Sequence, residues 1–325
     1  MNRLHHLKQT LPQNLKDNEK YPEVEFVILD YNSQDGLEDW AKNSFLNWQG
    51  KVNYFRTNLT GFYDFSHSRN LAISMAKGDI ICILDADNFT GPDFCHFIND
   101  NFQKNENIFL SSRKCGISDL QGRICFLRKD FYSLNGYDER IKGYGYEDID
   151  FVNRLKFLGR KEVQIKDFAF LKAIQHDNDQ RVLNNQRIIN LNKLYVLNKS
   201  PTRCAVLFVY KNKDFEFAEI NDNCFDNESK ELVFVKPMSI YYRFNLVEGT
   251  LYFGSNYEEI YTQEMIEVTE TKTIYEFVFF YSQLYNKAIL RNNAKNKVIS
   301  VNNEGIAEST LYKNFNYSEP IFINA

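Results

Sequence analysis

Apolar residues in the first two thirds of this chain come in short runs that alternate with helical spacing. Glu25 to Asp30 is an apolar strand running into Tyr31-Asn32-Ser33-Gln34-Asp35-Gly36, a cluster of turn formers. Leu37 to Trp48 has mixed helical spacing, Lys51 to Phe55 predicts a second strand, and Ser68 to Ala76 predicts a helix that Gly78 ends. Asp79 to Leu84 is a nearly continuous apolar strand of the central parallel type, followed at once by Asp85-Ala86-Asp87-Asn88. Gly91-Pro92 breaks the chain, Asp93 to Phe102 can form a helix, and a looser stretch follows Ile108 to Ser111. Lys129 to Leu134 looks helical, Gly136 to Gly145 is a glycine- and tyrosine-rich loop, and Glu147 to Leu158 is a helix closed by Gly159. This alternation predicts an α/β fold with an open, mostly parallel sheet flanked by helices.

The pattern changes near Pro201. Val206 to Tyr210, Glu231 to Val235, Ser239 to Phe244 and Thr250 to Phe253 are short apolar or aromatic runs separated by Asn, Asp and Gly, which predicts a smaller antiparallel β-rich module. Ile274 to Ile289 predicts a late helix, and the tail from Arg291 is rich in asparagine. The expected division is an N-terminal extension at 1–21, the α/β domain at 22–200 and a β-rich region at 201–325.

A length of 325 residues suits one large domain with a smaller one. With 43% hydrophobic and 25% charged residues, the composition excludes collagen-like, wholly disordered and integral-membrane chains. A net charge of -4 gives no reason to expect a nucleic-acid partner. No apolar stretch is long enough for a signal peptide or a transmembrane segment, so the expected location is cytoplasmic. Peripheral contact with the inner face of a membrane, and a homo-oligomer, are both compatible with such a chain. The six cysteines form no metal-knuckle pair, and the apolar settings of Cys82 and Cys125 suit buried free thiols in a reducing compartment.

Candidate chemistry lies in the carboxylates. Asp85 and Asp87, two apart beyond a buried strand, can share a divalent cation. Their hard oxygens suit Mg²⁺ or Mn²⁺ bridging to a diphosphate, although an isolated Asp-x-Asp is more often a turn and helix cap. Glu147, Asp148 and Asp150 open a predicted helix, where the dipole alone accounts for at least one of them. Gly143 and Gly145 would let the backbone approach a ligand, with Tyr144 and Tyr146 as stacking or hydrogen-bonding surfaces. His176, set among acids, either completes a metal shell or is simply solvated. Arg69 can pair with a phosphate or equally with a structural carboxylate.

Together, Val24-Glu25-Phe26-Val27-Ile28-Leu29-Asp30-Tyr31-Asn32-Ser33, Ser68-Arg69-Asn70-Leu71-Ala72 and Ile83-Leu84-Asp85-Ala86-Asp87-Asn88 resemble the opening of a family 2 nucleotide-sugar glycosyltransferase of the GT-A fold. The stretches Gly122-Arg123-Ile124 to Asn135-Gly136-Tyr137-Asp138-Glu139 and Gly143-Tyr144-Gly145-Tyr146-Glu147-Asp148-Ile149-Asp150 resemble the motif block of β-1,4-galactosyltransferases and chondroitin-polymerase-like enzymes. The likeness covers roughly residues 22 to 185. It implies that Asp30 and Asn32 face the base and ribose, that Arg69 holds base or diphosphate, and that Gly122 lies beside the donor sugar. It implies Asp87 as main metal ligand, with His176 and Asp85 beside it and Asp85 also reaching ribose. Asp148 would be the base, with a normal or depressed carboxylate pKa, and Glu147 would bind sugar hydroxyls.

The implied partners are a UDP-sugar donor and a glycan or lipid-linked saccharide acceptor, in a metal-dependent inverting transfer. Two departures stand out. The family's usual first-strand proline is replaced at Leu29 or Asp30, and Tyr144 and Tyr146 stand where galactosyltransferases carry donor-loop tryptophans. The competing readings are a nucleotidyltransferase, which also uses paired aspartates but does not predict the Glu147-Asp148 block, and a non-catalytic carbohydrate- or protein-binding module on the same scaffold. The transferase reading places the protein in surface polysaccharide synthesis, and abundant Asn, Lys, Ile, Tyr and Phe suit an AT-rich bacterial genome.

Overall fold

The chain opens with helix α1 (Leu4–Asp17), which buries Leu11 against Ile28, Ala41, Trp48 and Tyr54. Residues 1–21, expected as an extension, are therefore part of the α/β domain. Beside its leucine stripe of Leu4, Leu7, Leu11 and Leu15, the helix also buries the polar residues His6, Thr10 and Asn14. A computed structural model describes the chain except residues 49, 60, 176–181, 201–202, 222–230, 235–241, 246–249, 254–257, 261–264 and 324–325.

The chain divides into two compact units that are discontinuous in sequence. One comprises Met1–Lys142, Tyr146–Asp177 and Leu290–Ala325, the other Gly143–Gly145 and Asn178–Ile289. This packing differs from the expected division at 200/201 at both ends of the β-rich region: residues 178–200 belong with the second unit, and those from Leu290 onward with the first.

In the first unit β1 (Phe26–Asp30) pairs in parallel with β2 (Val52–Thr57), Phe26 opposite Val52. Helix α2 (Leu37–Ser44) lies between them in sequence, and α3 (Phe65–Met75) packs on β1. A second sheet contains β3 (Ile80–Cys82), β5 (Ile108–Ser111), β6 (Ile124–Leu127) and β7 (Lys161–Gln164) in the order β3-β6-β5-β7. Only β5–β7 is parallel there, so the sheets are mixed, with β4 (Asn88–Phe89) and β8 (Lys172–Ala173) forming an antiparallel ribbon beside them. Period-two alternation sorts the strands' apolar side chains to two faces. Ile81, Phe109, Ile124 and Phe126 pack with Phe151, Val152 and Leu155 of one layer, while Ile108, Leu110, Cys125 and Leu127 pack with Phe94, Ile98 and Phe102 of the other. Those helices are α4 (Phe94–Lys104) and, after α5 (Arg128–Leu134), α6 (Glu147–Phe157).

The chain returns late to the first sheet. Beyond the strands of the second unit, β17 (Ser309–Lys313) adds antiparallel to the edge of β2, and β18 (Ile321–Ile323) adds to β17. Leu311 is fully buried there.

The second unit is antiparallel, as its pattern predicts. β9 (Leu191–Ser200), β10 (Arg203–Tyr210), β11 (Phe215–Asn221), β12 (Glu231–Phe234) and β16 (Ile266–Glu267) order as β12-β11-β10-β9-β16, and β13 (Tyr242–Asn245), β14 (Thr250–Phe253) and β15 (Glu258–Ile260) form a smaller sheet. Leu194, Val206, Phe208 and Ala218 pack on Val278, Tyr281 and Leu284 of the long helix Thr271–Lys295, which extends past the predicted Ile274 to Ile289 at both ends. Among the described residues, no helix is long and apolar enough to cross a membrane. Cys82 and Cys125 are free thiols facing each other across β3 and β6, with Sγ atoms 3.1 Å apart.

Candidate active site

Arg69, on α3, is the centre of the site. The residue is 8% exposed, and its guanidinium lies over the ring of Tyr137, 5.4 Å from the centroid. Nη1 donates to Glu147 Oε1 at 2.6 Å and stands 2.7 Å from Asp148 Oδ1, and Nη2 is 3.6 Å from Asp85 Oδ1. Three carboxylates from two distant segments thus surround one cation, which holds Arg69 firmly protonated. The arginine that the resemblance gives to base or diphosphate is placed among acids.

The acids come from the ends of two elements. Asp85 follows β3, with its side chain 42% exposed. Glu147 and Asp148 open α6, where acidic side chains meet the helix dipole while Arg154 and Lys156 close it. The third acid of that run has another job: Asp150 is buried, accepting from Arg154 Nε at 2.7 Å and from Asn293 Nδ2 at 2.8 Å. Glu147 Oε2 is buried without a hydrogen-bond partner. Burial, reinforced by the Glu147 and Asp85 charges, raises the Asp148 carboxyl to about 7 despite Arg69 and Arg113. The expected normal or depressed pKa is therefore corrected, because desolvation outweighs the ion pair.

Gly122 stands against this cluster. A Cβ there would lie 2.9 Å from Asp85 Oδ2, 3.0 Å from Asp148 Oδ2 and 3.1 Å from Arg69 Nη2. The two carboxylates and the guanidinium pack so closely on Gly122 that no side chain fits there without displacing them.

Asp87 is buried two residues beyond Asp85, and its Oδ1 accepts from Asn88 Nδ2 at 2.8 Å. Among the described residues, no three His, Cys, Asp or Glu side chains converge as a metal shell. His176, the expected third ligand, lies outside the described residues. The donor set still suits a divalent cation of the Mg²⁺ or Mn²⁺ type, since such ions are held by one or two carboxylates and complete their shell with substrate phosphates and water.

The first-strand residues serve the fold. Asp30 is fully buried, accepting from Tyr54 Oη at 2.6 Å, from Ser33 N at 2.7 Å and from the Arg56 guanidinium. Asn32, in the left-handed region at φ 53°, donates to Leu59 O at 2.8 Å and accepts from Arg56 Nη2 at 3.0 Å. Tyr144 stacks on Phe279, ring centroids 5.6 Å apart, and its carbonyl accepts from Gln283 Nε2 at 2.9 Å. Tyr146, half-buried at φ 73°, caps α6.

Sequence reasoning passed over several residues that shape this site. Asn70, beside Arg69, receives Tyr137 N at 2.7 Å and donates to Tyr137 O at 3.0 Å, fixing the ring under the guanidinium. Arg123, beside Gly122, is fully buried and donates to Phe89 O at 2.8 Å and to Phe170 O, tying β4 to the short helical turn Phe168–Phe170 that precedes β8. Both lie inside the quoted motifs, so adjacency to Arg69 and Gly122 was the available signal.

An α/β domain with acids converging at strand and helix ends is a scaffold for transferase chemistry. The chain belongs to glycosyl transferase family 2, whose model matches residues 1–163. Comparison with curated proteins gives no match. Among solved structures, GalNAc-T7 with UDP, GalNAc and Mn²⁺ is 9% identical, with 82% of this chain and 77% of that chain covered at a TM-score of 0.42. A mutant of Drosophila β-1,4-galactosyltransferase 7 with manganese, UDP-Gal and xylobiose is 16% identical, covering 61% and 95% at 0.33. The catalytic domain of that enzyme with xylobiose is 15% identical, covering 61% and 94% at 0.30. The family assignment rests on the family model alone.

Proposed function

We propose that this glycosyltransferase is metal-dependent and inverting, and moves a sugar from a UDP-linked donor to a hydroxyl of a glycan or lipid-linked acceptor. The observation that carries the reading is the convergence of Asp85, Glu147 and Asp148 on Arg69 against Gly122, with the Asp148 carboxyl raised to about 7. A base with a pKa near the working pH combines a useful ionised fraction with real proton affinity.

In this reading the acceptor oxygen bonds to the anomeric carbon as the bond from that carbon to the diphosphate oxygen breaks. The electron pair leaves with UDP, and the hydroxyl proton passes to Asp148. A single displacement with no covalent intermediate inverts the configuration. Arg69 holds Asp148 in place, and Glu147 turns its unpartnered Oε2 to a sugar hydroxyl. Asp85 and Asp87 would hold Mn²⁺ or Mg²⁺, which when bound offsets charge gathering on the departing diphosphate.

Calorimetric binding of UDP with and without Mn²⁺, on the intact protein and on Asp87→Ala, tests the reading. Binding that needs both the metal and Asp87 is the expected result. No binding under any metal condition would rule out a UDP donor and leave another nucleotide, or a binding module on the same fold.

A further inference from the structure

Three polar side chains spaced four apart in sequence, Thr10 and Asn14 on α1 and Asn18 at its end, are all buried. Residues at this spacing share one helix face. All three are spent on the segment that carries Asp85 and Asp87. Thr10 Oγ1 donates to Ala86 O at 2.7 Å, the carbonyl between the two aspartates. Asn14 Nδ2 donates to Asn88 O at 3.0 Å while its Oδ1 accepts from Thr90 N at 2.8 Å. Asn18 Nδ2 donates to Thr90 Oγ1 at 2.9 Å and its Oδ1 accepts from Cys95 N at 2.9 Å.

From Asn88 the network reaches the carboxylate itself. Asn88 Nδ2 donates to Asp87 Oδ1 at 2.8 Å and to Asp119 O at 3.0 Å. A helix that merely covered the sheet would present apolar side chains here, because buried polar groups cost free energy unless each is paired. A fully paired buried network instead selects one backbone arrangement.

We propose that Thr10, Asn14 and Asn18 are positioning residues for the reaction: they fix the turn so that Asp85 and Asp87 stand together at the donor site. The proposal rests on the reading of that site as one for a nucleotide sugar with its cation. None of the three touches substrate; they act through the backbone from Ala86 to Thr90.

Thr10→Val keeps the side-chain shape and removes the donor, whereas Thr10→Ser keeps the donor; Thr10→Ala replaces Thr10→Val if the second methyl is not accommodated. Two readouts are taken on the full chain, Mn²⁺-dependent UDP affinity by calorimetry and hydrogen exchange of amides 86–90. Thr10→Val is expected to weaken UDP·Mn²⁺ at least tenfold and to speed exchange at least tenfold, with Thr10→Ser within twofold of the unaltered protein in both. Unchanged affinity in Thr10→Val, or equal losses in Thr10→Val and Thr10→Ser, would overturn the proposal. If the unaltered protein binds no UDP with any metal, the donor reading fails by itself. The exchange measurement then decides, and the proposal falls if Thr10→Val leaves amides 86–90 unchanged.

Discussion

At Gly122 the nearest groups are those assigned to the chemistry, and the residue's backbone angles are ordinary, so an added methyl acts on the site and hardly on the fold. Gly122→Ala is expected to cut turnover of the nucleotide sugar at least tenfold while shifting the melting temperature by no more than a few degrees, read by steady-state kinetics beside thermal melts. Asp148 predicts a pH effect of defined sign. Its folded pKa of about 7 lies above the ordinary 3.8, so between about pH 4 and 7 the folded state holds a proton that the unfolded state has lost. Stability then falls as pH rises through that window and stays lowered above it. In metal-free buffer, Asp148→Asn should be more stable than the unaltered protein at pH 8, by up to about 4 kcal/mol, and nearly equal to it at pH 4. Denaturant titrations at the two pH values check this. Asp148, Glu147, Asp85 and Arg69 were all legible as chemistry-bearing residues, because acids at the ends of apolar runs stand out. The raised pKa was not, since it depends on what buries the carboxyl.

The element scale shows where motif reading misassigned a cause. Gly143 and Gly145, expected to admit a ligand, admit the long helix Thr271–Lys295 instead. At Gly145 a Cβ would collide with the Gln283 side chain, and Asn286 Nδ2 donates to Gly145 O at 2.9 Å. Phe279, Ser282, Gln283 and Asn286 lie at helical spacing, and this face grips residues 143–145, two positions before Glu147. Gly145, at φ 98°, also has a backbone that other residues rarely adopt. Gly145→Ala should therefore destabilise the second unit by about 1–3 kcal/mol, seen as a lower midpoint in a denaturant titration followed by near-UV signals. The long helix itself was predicted from its spacing. Its grip on a loop some 140 residues earlier has no local signature, so the glycines looked like ligand glycines.

Across the whole molecule, the late segment ties distant parts of the first unit together. Asn302 Nδ2 donates to Asn135 O at 2.8 Å and to Tyr137 O at 2.7 Å, Asn314 Oδ1 accepts from Tyr54 N at 3.0 Å, and Leu311 fills the core beside Tyr31 and Leu71. Removing residues 296–325 would uncover the edge of β2 and the ring pocket of Tyr54, so the shortened protein should aggregate or melt at least 10 °C lower, measured by light scattering and calorimetry. What the sequence determined by itself is the alternation of strand and helix, the antiparallel second unit and the acids at the ends of the apolar runs. All of these are written in residues a few positions apart, where side-chain period and turn chemistry act. The tertiary structure alone decided that Arg69 sits among Asp85, Glu147 and Asp148, that polar α1 braces the Asp-x-Asp turn, and that an asparagine-rich tail completes the first sheet. Each of these joins residues dozens to hundreds of positions apart, and the burial that pairs them exists only once the chain has folded.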